Sequence, residues 1–193
     1  MPHIALMWNL KKKSILSYGD ASIISFQATK FFNTCEGGAI VFKKKSDYLN
    51  AHKLVHIGYN YLNTNHENPG RGINAKMSEL SASWGISLLK KIKKIKTKKK
   101  LCCKIYFENL SSEIVKPTIN LISQNYNYMP IIFSNEKILL KVKKKLEKNK
   151  IYPRRYFYPS LDELKHLQVN ICRNSRYLSK RILCLPVSEY MKK

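Results

Sequence analysis

Two short β-branched runs constrain most strongly what this chain can become. Residues 22–26 (SIISF) and 39–43 (AIVFK) are each too short for a helix and read as strands. Between them lie a polar turn bearing Lys30 and the pair Gly37-Gly38. Ligands of α/β folds gather at the carboxyl ends of strands, and Lys30 follows such an end within a few residues. Ser25 and Thr29 offer hydroxyls to a phosphate there, and the two glycines permit close backbone approach or positive φ. Position alone does not distinguish Lys30 from the many other lysines of the chain.

The remaining segments alternate in type. Ser46-Asp47 predicts the cap of a helix reaching about Ile57, with Leu49, Leu54 and Val55 at core spacing. Residues 58–72, rich in Gly, Asn and Tyr, read as a long loop. Residues 77–89 are helical, with Ala82 and Gly85 small enough for close packing. The pattern continues through a lysine run to about Leu110, with Ile92 and Ile95 as a thin apolar stripe. Next come a strand at 128–133, a helix bounded by Ser134, Glu136 and Glu147 and ending near Lys150, and a strand at 151–158 (IYPRRYFY). A last helix is expected at 174–182, before Leu185-Pro186-Val187. The whole predicts an α/β fold in two pieces joined by the lysine-rich helix, without internal repeats.

Composition raises a competing reading. Thirty-six Lys and Arg against twelve Asp and Glu give a formal charge of +24, which suits a nucleic-acid binder. The excess is lysine in runs, however, accompanied by abundant Asn, Ile and Tyr, all with A/T-rich codons. Arginine, which makes bidentate base contacts, is sparse. Codon bias therefore accounts for the charge better than nucleic-acid binding does. The five cysteines (Cys35, Cys102, Cys103, Cys172, Cys184) have no metal spacing and read as reduced thiols. His52, His56, His66 and His166 form no spaced cluster, so no metal is expected. No apolar run is long enough to span a bilayer, and residues 1–13 lack a signal-peptide pattern, which makes the cytoplasm the expected location.

Four landmarks then go beyond physical pattern. Ser25-Phe26-Gln27-Ala28-Thr29-Lys30, with Asn33 and Glu36-Gly37-Gly38-Ala39, resembles the Schiff-base motif of the DegT/DnrJ sugar-nucleotide aminotransferases. Gly72-Ile73-Asn74-Ala75-Lys76-Met77-Ser78-Glu79-Leu80 is similar to that family's next signature. Arg154-Arg155-Tyr156-Phe157-Tyr158-Pro159 and Arg181-Ile182-Leu183-Cys184-Leu185-Pro186 are similar to its C-terminal landmarks. The resemblance implies a fold-type-I transferase dependent on pyridoxal 5'-phosphate (PLP), working as a homodimer on a nucleotide-linked, dTDP-type keto-deoxysugar. Its amino donor would be an amino acid such as glutamate, and its place surface-polysaccharide biosynthesis.

By that resemblance Lys30 binds PLP covalently and, once freed, shuttles the proton between substrate and cofactor carbons. Ser25 binds the cofactor phosphate, and Asn74 reaches the phosphate of the partner subunit. Gln27, where many relatives have histidine, Arg155 and Tyr158 are the candidate substrate contacts. Lys76 stands where arginine is common, which weakens any bidentate anion contact. Plainer readings stand beside these. Asn74 can cap the following helix, the 154–158 aromatics can simply pack, and Glu36 can be a turn carboxylate.

The resemblance covers only the C-terminal half of such an enzyme. The other half would carry the phosphate-binding turn, the ring stacked on PLP and the aspartate opposite the pyridine nitrogen. Read one base earlier, the codons of Met1-Pro2-His3 can spell Asp-Ala-Ala-His, and those of Met7-Trp8-Asn9 yield Val-Glu. Both fit what the family has before its GDASxxSF strand. Residues 1–13 are therefore expected to be an out-of-frame start. Residues 14–89 are expected to be the end of the large domain and 90–110 a connecting helix. Residues 111–193 would form the small C-terminal domain, cut short. A fragment of this kind is expected to be inactive alone. The rivals are a basic nucleic-acid-binding protein and a non-catalytic partner of an intact homologue.

Overall fold

A computed structural model describes residues 9–10, 13–59, 71–111, 114, 126–167 and 169–191. Most of the expected out-of-frame start, and of the long loop at 58–72, lies outside these residues. The chain divides into two units, Met1–Lys93 and Lys94–Lys193. The mixed α/β class expected from sequence is present, and all three strand pairs are antiparallel.

In the first unit, β1 (Asn9–Leu10) pairs with β2 (Lys13–Ser14). The two β-branched runs then form β3 (Ala21–Ser25) and β4 (Gly38–Phe42), with Ile23 opposite Ile40 and Ser25 opposite Gly38. Side chains alternate between faces, and the face carrying Ile23 and Ile40 is open, these residues being 83% and 49% exposed. Helix α1 (Lys45–Val55) starts two residues earlier than a cap at Ser46 predicts. Its N-cap is Lys44, without a side-chain cap, and Asp47 sits in the first turn, where the helix dipole favours an acid.

Helix α2 (Glu79–Asn109) begins in the first unit and ends in the second. Its start is marked by Ser78, whose Oγ accepts the Ser81 N–H at 3.2 Å. Lysine is a good helix former, so the lysine run does not interrupt it. Ile92 and Ile95 are buried, as their spacing predicts.

The second unit has its own core. Strands β5 (Met129–Ile132) and β6 (Ile182–Leu185) pair with Ile131 opposite Leu183. Between them in sequence lie α3 (Glu136–Lys148) and the short α4 (Arg173–Ser179). Cys103, Tyr126, Met129, Ile131, Phe133, Leu139, Leu183 and Leu185 form one buried cluster, with Val142 and Leu146 of α3 against it. Asn135, not Ser134, caps α3: its Oδ1 accepts the Ile138 N–H at 2.9 Å.

Two sequence expectations fail in this unit. Residues 151–158 do not form a strand, although their aromatic content suggested one. Pro153 and Pro159 lack the N–H a ladder needs, and Arg154 makes only an isolated bridge to Cys184. The last helix ends at Ser179 instead of 182, because the apolar run from Ile182 is drawn into the sheet beside β5. Among the described residues no helix is long and apolar enough to cross a membrane.

Candidate active site

The connection from β3 to β4 is closed at its base by backbone. Phe26 N–H donates to Gly37 O at 2.9 Å, and Thr34 N–H donates to Phe26 O at 2.9 Å. Residues 27–33 therefore stand out as a separate turn. Within it the Lys30 N–H donates to Gln27 O at 2.9 Å. The Gln27 Oε1 accepts the Thr29 N–H at 3.0 Å and also the Thr29 hydroxyl. The Gln27 N–H donates to Ser25 Oγ at 3.4 Å, which leaves the Ser25 hydroxyl proton available to another acceptor.

The turn is seated by the residues that follow the lysine. Phe31 and Phe32 are buried whereas Lys30 is exposed. The Phe32 ring meets Phe26 edge-on, 5.0 Å between centroids. Thr34 is buried and its hydroxyl donates to Glu36 O at 2.7 Å. Gly37 has φ +145°, and a Cβ there would lie 2.6 Å from Thr34 Oγ1 and 2.9 Å from Met77 Cε. Only glycine fits at that point.

The six residues singled out from sequence fall into three places. Ser25, Gln27 and Lys30 come together in the turn. Asn74 lies in a segment paired with the end of α1, as an antiparallel bridge to His56, flanked by Ile73 N–H to Leu54 O at 2.7 Å and Ala75 N–H to Val55 O at 3.1 Å. It does not cap α2, which Ser78 does, and its side chain is exposed. Among the described residues it makes no hydrogen bond to Ser25 or Lys30.

Arg155 and Tyr158 belong to the second unit and touch each other. The guanidinium lies 3.6 Å from the Tyr158 ring centroid. Arg155 Nη2 donates to Glu136 Oε1 at 2.6 Å and to Ser179 O at 3.2 Å, while its Nε is buried without a partner. The arginine thus ties α3 to the end of α4 and supports Tyr158 from below.

Other reactive groups are muted. Burial pushes the thiols of Cys103 and Cys184 up to about 11, so both are neutral and poor nucleophiles near pH 7. All five cysteines are free thiols. The histidines hold one surprise, since the His52 and His56 rings stack at 4.1 Å. Even so, no group of three metal-binding side chains occurs among the described residues.

Two residues escaped sequence reasoning. Asn33 Nδ2 donates to Lys30 O at 3.4 Å, and Asn33 Oδ1 accepts the Trp84 Nε1–H at 3.2 Å. Asn33 stood within the motif but without a role, and no local pattern links it to a tryptophan so far along the chain.

Comparison with known proteins places the chain among relatives. The sequence profile of the DegT/DnrJ/EryC1/StrS aminotransferase family matches residues 4–193. A dTDP-4-amino-4,6-dideoxy-D-glucose transaminase from Shigella dysenteriae is 34% identical over 185 residues, which are 90% of this chain and 49% of the relative. Among solved structures, DesI in the presence of its TDP-sugar product superposes with a TM-score of 0.83 at 24% identity, over 97% of this chain and 50% of its own. NtdA from Bacillus subtilis, with bound cofactor PMP, gives a TM-score of 0.73 at 19% identity, over 91% and 43%. The chain spans about half the length of the relatives it matches.

Proposed function

The chain belongs to the DegT/DnrJ/EryC1/StrS aminotransferase family, and we propose that it supplies the lysine-bearing half of a PLP-dependent site that aminates a dTDP-linked keto-deoxysugar. The observation that carries this reading is the turn at the end of β3. It presents the Lys30 amine to solvent, beside a Ser25 hydroxyl whose proton is uncommitted, on a base fixed by Phe31, Phe32 and Gly37.

These groups fit the cofactor. A primary amine on an exposed turn can bond an aldehyde carbon, and a hydroxyl with a spare proton can donate to a phosphate oxygen. When bound, PLP supplies an electron sink for the carbon that loses its proton. Lys30 Nζ would hold the cofactor and, as a free neutral amine, would accept the proton at the reacting carbon and become an ammonium. Ser25 Oγ orients the phosphate. Gln27 shapes the turn by holding the Thr29 N–H and hydroxyl on its Oε1, and its amide Nε2–H2 is the group it offers to substrate.

In this reading residues 14–89 belong to the large domain and 111–193 to the small one, with 90–110 connecting them. Asn74, exposed and not engaged as a cap, serves the phosphate site of a second subunit in a homodimer. Tyr158, held on Arg155, offers an aromatic face to substrate. The amino donor is an amino acid such as glutamate, and the enzyme works in the cytoplasm. Support for the sugar class comes from the names of the Shigella relative and of DesI.

The test is to incubate the protein with PLP, reduce with borohydride, digest, and map the modified peptide. The expected result is a pyridoxyl group on Lys30 that Lys30→Ala removes. Modification spread evenly over the exposed lysines of α2 and α3 would overturn the reading.

A further inference from the structure

A side-chain hydrogen bond joins the Lys30 turn to α2. Both peptide groups of Lys30 are held: its N–H by Gln27 O at 2.9 Å, and its C=O by Asn33 Nδ2 at 3.4 Å. Asn33 is itself fixed through Oδ1, which accepts the Cys35 N–H at 3.4 Å and the Trp84 indole N–H at 3.2 Å. Of these partners only Trp84 lies outside the connection from β3 to β4, 51 residues from Asn33.

The neighbouring residue on α2 makes the approach possible. Gly85 has no Cβ, and one placed there would stand 2.9 Å from Thr34 Cγ2 and 3.4 Å from the Phe32 ring. The helix therefore passes close to Phe32 and Thr34 at the residue next to the one whose indole reaches Asn33. A lysine on a loop has wide freedom of aim, and catalytic geometry tolerates errors of only a fraction of an ångström. Referring the Lys30 peptide to a helix side chain reduces that freedom.

We propose that Asn33 and Trp84 are positioning residues, a two-bond latch through which α2 sets the direction of the Lys30 amine. This rests on the reading of Lys30 as the cofactor lysine, and it adds a determinant that no turn residue alone provides. Neither side chain touches the reacting atoms. Their effect passes through the Lys30 carbonyl.

The experiment separates hydrogen bonding from bulk. Trp84→Phe keeps an aromatic ring and loses the N–H. Trp84→Gln loses the ring but places an amide N–H the same number of bonds from Cβ. The rate of PLP capture on Lys30, read by borohydride trapping and peptide mapping, is compared with that on other exposed lysines in the same digest. Circular dichroism confirms that each variant is folded.

Loss of one net hydrogen bond corresponds to about a five-fold slower capture in Trp84→Phe and in Asn33→Ala. Trp84→Gln should recover most of the rate, and Trp84→Phe should add nothing in the Asn33→Ala background. Unchanged capture in Trp84→Phe, or capture by Trp84→Gln poorer than by Trp84→Phe, overturns the latch and leaves only packing.

Absence of capture on Lys30 in the unmodified protein overturns the cofactor reading instead. Hydrogen exchange of the Trp84 indole N–H then decides the latch without cofactor. Protection that Asn33→Ala abolishes supports it, and an unprotected indole in the unmodified protein overturns it.

Discussion

The two units of the chain are built on different terms. The second holds a core of its own, in which Leu139 and Leu183 are fully buried and both strands contribute. The first carries the candidate chemistry, yet leaves the Ile23 and Ile40 face of its sheet in solvent. Its buried apolar side chains are few among the described residues, Phe31, Phe32 and Ile92. Burial of large apolar side chains is the main source of folding free energy. The contrast teaches that the Lys30 turn is well shaped locally but stands on a sheet with an unfilled face. The C-terminal unit, by comparison, can organise around its own residues.

That contrast can be broken by measurement. Leu183→Ala in the second unit should cost about 2–5 kcal/mol in urea unfolding, whereas Ile23→Ala in the first should change stability by less than about 0.5 kcal/mol. Equal costs would show that the Ile23 face is covered in solution.

A smaller effect is expected from Glu136→Gln, which removes the charge opposite Arg155. The half-buried guanidinium keeps its bond to Ser179 O, so the loss should be about 1–2 kcal/mol, again by urea unfolding. No change at all would mean that Arg155 is not structural.

The second unit should also show an acid limb. The Ser160 hydroxyl, the Cys172 N–H and the Arg176 guanidinium hold the Asp162 carboxyl at about 2, below its ordinary 3.8. A depressed value stabilises the fold in full above the unfolded value and fades as pH falls toward the folded one. Unfolding of the unmodified protein should therefore become easier as pH drops from about 4 toward about 2, and Asp162→Asn should lack that part of the slope. The smallest effect is expected from Ile40→Thr. It should leave stability within about 0.5 kcal/mol but reduce self-association in light scattering, since it breaks an exposed apolar pair.

Much of this was legible in the sequence, for physical reasons that also explain the misses. Residues 22–26 and 39–43 became β3 and β4 within a residue, because β-branched side chains and a glycine pair leave few alternatives. The long helix was readable from Ile92 and Ile95 at helical spacing. Residues 151–158 misled because aromatic content outweighed Pro153 within the run and Pro159 just after it. The cap of α3 moved by one residue because serine and asparagine are equally good caps, and only backbone geometry separates them. Gathering Ser25, Gln27 and Lys30 required only local sequence. The Asn33–Trp84 bond was illegible because it depends on how closely α2 passes the turn, which Gly85 decides and no periodicity records.

The lysine face of α2 has a consequence for the medium in which the protein is handled. Lys90, Lys94 and Lys98 follow one another every four residues, so like charges stand on a single line along the helix. Such pairs oppose the helix by a few tenths of a kcal/mol each, about 0.2–0.5. Lys96 reports the same crowding, its ammonium made less favourable first by burial and then by the charge of Lys100. Dissolved ions relieve this repulsion, since their screening distance shrinks from about 30 Å at 0.01 M to about 8 Å at 0.15 M. Higher ionic strength is thus expected to firm the lysine stretch of the helix on which Trp84 is carried.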